Sequence, residues 1–117
     1  MLTRIALIGA TTLLLALPVA AIESPRGQIQ SGNIDLTTRP RVMTRDGRIA
    51  TVRSISINLD GREVLIPTVS DDGRLLSPDE AIALFRSSGR HLGIFDNPQN
   101  ATAYAKALHR QQAQAYR

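Results

Sequence analysis

Three Asp-Gly dipeptides divide the middle of this 117-residue chain into short segments. They lie at Asp46-Gly47, Asp60-Gly61 and Asp72-Gly73. Asp and Gly both tolerate the positive φ angles that tight hairpin turns require, so such pairs between apolar segments are typical of β-hairpins. Turns at these positions predict a small antiparallel sheet of about three strands.

The strand predicted for residues 49–59 has two different faces. Its apolar and polar residues alternate, with Ile55, Ile57 and Leu59 on one face and Ser54, Ser56 and Asn58 on the other. This period of two is typical of a strand exposed on one side. Counting backwards places Arg53 on the apolar face. Two interpretations remain open: Arg53 is partly buried against an acidic partner, or a bulge near Val52 shifts the alternation.

The next predicted strand, residues 63–69, is apolar on both sides. Its apolar residues are Val64, Leu65, Ile66 and Val69. A strand of this kind is expected to be the more buried one. Pro67 complicates the prediction, because proline cannot donate to a ladder and normally lies at an edge or a bulge. Glu63, at the start of the strand, is expected to pair with Arg62 on the surface.

Two helix-start signals follow the strands. In the segment SPDE at 77–80, Ser can cap a helix, Pro suits the first helical position, and Glu completes a capping box. Gly89 is expected to end this helix. A second helix is predicted from Asn97-Pro98 to about Tyr116. The predicted fold class is therefore α+β, a small antiparallel β-sheet with two helices packed on one face.

Residues 1–21 have the three parts of an export signal. Arg4 supplies the positive charge, residues 5–17 form an apolar stretch, and Pro18 is expected to stop the helix. The small or β-branched residues that follow predict cleavage after Ala21. The alternative is an uncleaved inner-membrane anchor through residues 5–22, since a span needs roughly 18 apolar residues. The predicted division is a signal peptide at 1–21, a linker at 22–31 and one small module at 32–117.

The chain contains no cysteine. A lipid-modified N-terminus needs a cysteine at the cleavage site, and disulfide bonds need pairs, so both are excluded. Bacterial envelope proteins can fold without disulfides, whereas small secreted animal domains rarely do. We therefore expect a bacterial or phage-derived protein, exported to the periplasm or the extracellular medium.

The basic residues are almost all arginine. The chain has a net charge of +4, and of its 14 basic residues only Lys106 is lysine. Arginine forms planar, forked hydrogen bonds to carboxylates and phosphates, whereas lysine presents a point charge. A genome rich in G and C would produce the same bias. The functional alternative is contact with the acidic polymers of a bacterial envelope.

Familiar catalytic signatures are absent from the sequence. It has no cysteine nucleophile, G-x-S-x-G elbow, P-loop or H-E-x-x-H motif. The two histidines, His91 and His109, fall on different elements, so we predict no metal site and no cofactor. The acidic pairs at 71–72 and 79–80 lie in a turn and in a first helical turn, where acidic residues have structural roles. We expect no enzyme activity and assign no catalytic residue.

Several segments together resemble a module found in tailed-phage and prophage proteins. They are GNIDL (32–36), RP (39–40), IATVRSIS (49–56), DGREVLIPTV (60–69), GRHLGIF (89–95) and AYA (103–105). The module occurs in larger virion or ejected proteins, at times beside a lysozyme-like or transglycosylase domain. The resemblance implies a phage-related interaction module and says nothing about catalysis. In this chain we expect the module to stand alone behind an export signal.

The expected function is that of an exported, non-catalytic binding or structural module acting in the bacterial envelope. The candidate binding residues are Arg53, Ser54, Ser56, Asn58, Arg62 and His91. The expected partner is peptidoglycan or another envelope or virion protein. Aromatic residues make up only 3%, which leaves little for base stacking, so no nucleic-acid partner is expected. The alternative is a small peptidoglycan-active enzyme or its accessory, which a buried carboxylate beside a groove would favour.

Overall fold

The fold is built around a four-stranded antiparallel sheet. The computed structural model describes residues 25–50 and 52–115. The elements are β1 (Gln28–Ser31), β2 (Val42–Met43), β3 (Ile49–Ala50), β4 (Ser54–Leu59), β5 (Arg62–Pro67), α1 (Pro78–Ser88), β6 (Gly93–Phe95) and α2 (Pro98–Ala115). The strand order is β1-β6-β5-β4, while β2 and β3 form a separate hairpin. The α+β class is confirmed. The predicted signal peptide and its anchor alternative lie outside the described residues, and no helix within them is long and apolar enough to cross a membrane.

The turn between β4 and β5 has the predicted conformation. Asp60 and Gly61 have φ angles of 54° and 83°, and Leu59 pairs with Arg62 across them. Two successive positive φ values define a type I′ turn, whose twist matches that of the flanking strands. Gly47 and Gly73 also have positive φ angles, at 82° and 84°. All three Asp-Gly dipeptides therefore form turns.

The strand predicted for residues 49–59 is two strands. β3 ends at Ala50 and pairs with β2, whereas β4 begins at Ser54 and pairs with β5. Arg53 lies between them and is exposed, and its carbonyl accepts a hydrogen bond from the Thr68 amide at 2.7 Å. Burial of Arg53 against an acid is therefore wrong. The β4–β5 register runs without a shift from Ser54 to Leu59. A bulge near Val52 stays a prediction, because residue 51 lies outside the described residues.

The two helices lie on opposite faces of the sheet, which corrects the prediction that both pack on one face. α1 packs through Ala81 on Val64 and Ile66. α2 packs through Ala101 and Leu108 on the core that contains Leu65. Successive residues of a strand point to opposite faces, so these two clusters lie on either side of β5. The physical reason is that β5 carries apolar side chains on both faces, so a helix must pack on each face to remove them from water.

β5 is a central strand even though it contains a proline. β6 pairs with Glu63, Val64 and Leu65 only, so Pro67 lies beyond the last β6 pair and removes no bond from that ladder. The predicted linker at 22–31 is also corrected, because its last four residues form β1, which pairs with β6. No strand forms between residues 32 and 40.

Both helices begin as predicted. Ser77 Oγ accepts from the Glu80 amide at 3.1 Å, and the Glu80 carboxylate accepts from the Ser77 amide at 2.8 Å. These bonds to the Ser77 backbone and side chain lower the pKa of Glu80. Gly89 ends α1 in the left-handed conformation. At the start of α2, Asn97 Oδ1 accepts from the Asn100 amide at 2.8 Å.

Asn33 ties the segment after β1 to the connection between α1 and β6. Its side-chain Nδ2 donates to the Gly89 carbonyl at 3.1 Å, and its side-chain Oδ1 accepts from the His91 backbone amide at 2.8 Å. The preceding Gly32 lies so close to Leu92 that a Cβ would be 2.5 Å from the Leu92 carbonyl oxygen. Hydrogen bonds therefore join the segment GNIDL (32–36) directly to the segment GRHLGIF (89–95).

Replacing Asn33 by Ala is expected to lower the free energy of unfolding by about 0.5–1.5 kcal/mol, because the partly buried His91 amide loses its acceptor while water can replace Asn33 at the exposed Gly89 carbonyl. Urea denaturation followed by circular dichroism measures this. Asn33→Asp is the matched control, since it keeps the oxygen that accepts from His91 and should lose less. An Asn33→Ala variant as stable as the wild type would show that the two side-chain hydrogen bonds of Asn33 do not stabilise the fold.

Candidate binding groove

An open groove lies between β4 and α2 on the α2 side of the sheet. Its volume is about 460 Å³. It is lined from the sheet side by Val52, Arg53, Ser54, Ile55, Ser56 and Leu65, and from α2 by Thr102, Ala105, Lys106, His109 and Arg110. The α2 residues recur at intervals of three and four, so they form one stripe along the helix. That stripe lies beside the inward stripe of Ala101 and Leu108.

The groove lining is cationic. Arg53, Lys106 and Arg110 are exposed, and no Asp or Glu lines the groove. Within the described part of the chain, none of these three cations forms an ion pair with an acidic residue. Cations gathered in a concave site without compensating acids raise the local concentration of anions. The groove can therefore hold an acidic ligand.

His109 contributes a ring at one side of the groove. Its Nδ1 lies 3.3 Å from the carbonyl oxygen of Val52, the residue that leads into the sheet side of the lining. His109 therefore contacts the segment before β4.

The polar face of β4 forms a hydrogen-bonded network around a buried carboxylate. Glu63 is 6% exposed. Ser56 Oγ donates to Glu63 Oε1 at 2.6 Å, and Asn58 Nδ2 donates to Glu63 Oε2 at 2.8 Å. The predicted surface pair of Glu63 with Arg62 is therefore wrong. Neighbouring residues of a strand point to opposite faces, which places Glu63 on the α2 side and Arg62 on the α1 side.

The structure brings together three of the six predicted binding residues. Arg53, Ser54 and Ser56 line the groove, whereas Asn58 lies beyond it. Arg62 is exposed near the turn on the other face. His91 is buried, and its Nδ1 has no hydrogen-bond partner among the described residues. Burial lowers the pKa of His91, so its neutral form is favoured in the folded protein.

Three α2 residues of the groove were missed by sequence reasoning. Thr102, Lys106 and Arg110 lie on one helical face, and each is separated from β4 by more than 40 positions in the chain. Their spacing of four was visible as a polar stripe on the predicted helix. What the sequence alone does not show is that this stripe faces β4, because that depends on how the helix packs.

A second cleft lies on the α1 side of the sheet. Its volume is about 230 Å³, and its lining includes Ile66, Val69, Ala81, Phe85, Asp71, Asp72, Arg74 and Arg90. The cations at this cleft are paired: Arg90 bonds Asp71, and Arg74 lies 3.3 Å from Asp72. A hydrogen bond from Ser70 and the nearby Arg74 lower the pKa of Asp72. The cleft has apolar walls and a largely neutralised rim.

Comparison of the chain with protein-family models, with curated proteins and with solved structures found no match. The geometry and the charges of the groove are therefore the basis for a functional proposal.

Proposed function

We propose that the protein is an exported, non-catalytic binding module, related to a phage or prophage module, that holds an acidic polymer of the bacterial envelope. The binding site is the groove between β4 and α2. The single observation that carries this proposal is the groove's lining, with three exposed cations and no acidic residue. Export and the phage relationship rest on the N-terminal residues and on the resemblance described above.

Peptidoglycan is the polymer that we propose as the ligand. Its stem peptides carry carboxylates, which the forked guanidinium groups of Arg53 and Arg110 can bind through two hydrogen bonds each. Lys106 adds a point charge about one helical turn before Arg110 on α2. The Ser54 and Thr102 hydroxyls at the groove can bond the sugar hydroxyls. An open groove suits a chain that continues beyond the site at both ends.

The alternative of a peptidoglycan-active enzyme draws support from one residue. Glu63 is a buried carboxylate, and its partner Ser56 lines the groove. Glycan cleavage usually needs two carboxylates separated by about 5–10 Å on either side of the scissile bond. Both Glu63 oxygens accept hydrogen bonds from β4 side chains, and neither Glu63 nor any other acidic residue lines the groove. Binding is therefore the better-supported function.

Co-sedimentation with purified peptidoglycan tests the proposal. The triple variant Arg53→Gln, Lys106→Gln and Arg110→Gln is expected to bind roughly tenfold or more weakly than the wild type, because three charge contacts of up to ~1 kcal/mol are lost. Wild-type binding should weaken at high salt, since the screening length falls from about 10 Å at 0.1 M to about 3 Å at 1 M. The supernatant is assayed for released muropeptides.

The matched control is the triple variant Arg45→Gln, Arg62→Gln and Arg86→Gln. These arginines are exposed and lie outside the groove, and the variant has the same net charge as the groove variant. It should sediment like the wild type. Equal losses for the two variants would contradict a groove-specific site. Release of muropeptides by the wild type would support the enzyme alternative.

A further inference from the structure

β4 is an edge strand without the features that normally prevent edge pairing. It ends the strand order of the sheet, and its register with β5 is unbroken over all six residues. Residues 54–59, Ser-Ile-Ser-Ile-Asn-Leu, include no charged residue and no proline. Natural sheets usually protect such edges with lysine, proline, a bulge or a covering segment. The opposite edge, β1, has an irregular register between Gln28 and Gln30, which is one such protection.

The register shows which backbone groups of β4 face outward. Leu59 and Arg62 flank the two-residue turn, so they exchange hydrogen bonds, and every second residue before Leu59 also bonds β5. The bond from the Thr68 amide to the Arg53 carbonyl confirms this alternation. The amide and carbonyl groups of Ser54, Ser56 and Asn58 therefore point away from β5. Among the described residues, no backbone group bonds them.

We propose that β4 pairs antiparallel with β4 of a second copy of this chain. The strand is self-complementary in this orientation. With the two-fold axis at Ser56, Asn58 of each copy lies opposite Ser54 of the other. The outward backbone N–H and C=O groups of one copy then form hydrogen bonds with those of the other. On the α1 face, Ile57 lies opposite Ile55 of the second copy, which extends the apolar contact that each already makes with β5.

The charges at the ends of β4 favour a second copy as the occupant. Arg53 precedes the strand and Asp60 follows it, and both are exposed and form no ion pair within the described residues. With this register, antiparallel pairing places Arg53 of each copy opposite Leu59 of the other, one residue away from Asp60, at both ends of an uncharged centre. Pairing also joins the two four-stranded sheets into one and places the two cationic grooves on the same face of it.

Sedimentation velocity at increasing concentrations tests self-pairing, with no polymer present. The wild type is expected to move from the mass of one chain, 12.7 kDa, toward twice that mass. Ser54→Pro removes an outward backbone N–H and leaves the hydrogen bonds between β4 and β5 in place. The two-fold axis means that the dimer loses two intermolecular hydrogen bonds. The dissociation constant of the dimer should therefore rise about tenfold or more. Ser54→Ala keeps the amide and is the matched control, expected to dimerise like the wild type.

All of these proteins carry the same N-terminal residues, so a difference between them reports the β4 edge. A wild type that stays monomeric at every concentration, or equal dimerisation of Ser54→Pro and Ser54→Ala, overturns the proposal. Because the measurement includes no peptidoglycan, its outcome is independent of the proposed ligand.

Amide hydrogen exchange of the wild type gives a second test that needs no variant. The amides of Ser54, Ser56 and Asn58 are expected to exchange more slowly as the concentration rises. The amides of Ile55 and Ile57 donate to β5 in the monomer and should be protected at all concentrations. Fast exchange of the three outward amides at high concentration contradicts self-pairing, even if Ser54→Pro fails to fold.

Discussion

Replacing Phe95 by Ala is expected to lower the free energy of unfolding by about 3–5 kcal/mol, the usual cost of deleting a buried aromatic ring. Phe95 is fully buried in β6, in the core beneath α2. Its ring centroid lies 5.2 Å from that of Tyr104 at an interplanar angle of 38°. Small domains are stable by only about 5–15 kcal/mol, so this one substitution removes a large part of the total. Urea denaturation measures it.

Leu84→Ala is the control for Phe95→Ala. Leu84 is a large apolar residue of α1 that is 41% exposed, so its truncation should cost less than about 1 kcal/mol. Phe95→Leu should fall between the two, because it keeps most of the buried apolar surface. If Phe95→Ala were no less stable than Leu84→Ala, the assignment of the main core to the α2 side of β5 would be wrong.

Replacing Arg39 by Ala is expected to lower the free energy of unfolding by about 2–4 kcal/mol. A buried hydrogen bond from a charged donor is lost, and so is the packing of the arginine stem. The Arg39 side chain is 3% exposed. Its Nη1 bonds Asp71 at 2.7 Å, and its Nη2 bonds the Val69 carbonyl at 2.6 Å. Asp71 is 56% exposed and also bonds Arg90, so most of the loss comes from the Val69 carbonyl and the cavity.

Arg48→Ala is the matched control for Arg39→Ala. Arg48 also pairs with an aspartate, at 3.5 Å from Asp46, but its side chain is 84% exposed. An exposed pair of this kind is worth about 0–1 kcal/mol. Arg39→Lys should lose an intermediate amount, because one ammonium cannot reproduce the forked contact. Equal stabilities of Arg39→Ala and Arg48→Ala in urea would contradict a structural role for the buried guanidinium.

Local chemistry made the turns and the helix starts predictable. Asp60-Gly61 takes the positive φ angles that its residue types allow, and the capping box of Ser77 with Glu80 forms as expected. β1 was assigned to a linker because its four mostly polar residues show no pattern. Their bonding depends on β6, more than 60 positions away in the chain. Such pairing is fixed by tertiary structure, not by local sequence.

The placement of the helices could be argued only in part from the sequence. β5 was recognised as apolar on both faces, which requires cover on both sides. Which helix covers which face depends on the path of the chain through β6. The break between β3 and β4 was missed because the apolar residues on either side of it suggested one continuous strand.

The β4 side of the binding groove could be predicted from the sequence, but the α2 side could not. The exposed polar face of β4 was recognised, and two of its serines line the groove with Arg53. Lys106 and Arg110 were not linked to them, because a helical stripe does not reveal which strand it faces. Glu63 was placed on the surface because it follows a turn. The hydrogen bonds from Ser56 and Asn58 that allow its burial come from the neighbouring strand.

The most direct test of the proposed function is to map backbone amide chemical-shift changes while soluble peptidoglycan fragments are added to the wild-type protein. We expect saturable shifts at Ser54, Ser56, Lys106 and Arg110, which weaken at high salt. Shifts that cluster instead around the α1-side cleft, or no saturable shifts at all, would contradict the assignment of the β4–α2 groove as the binding site.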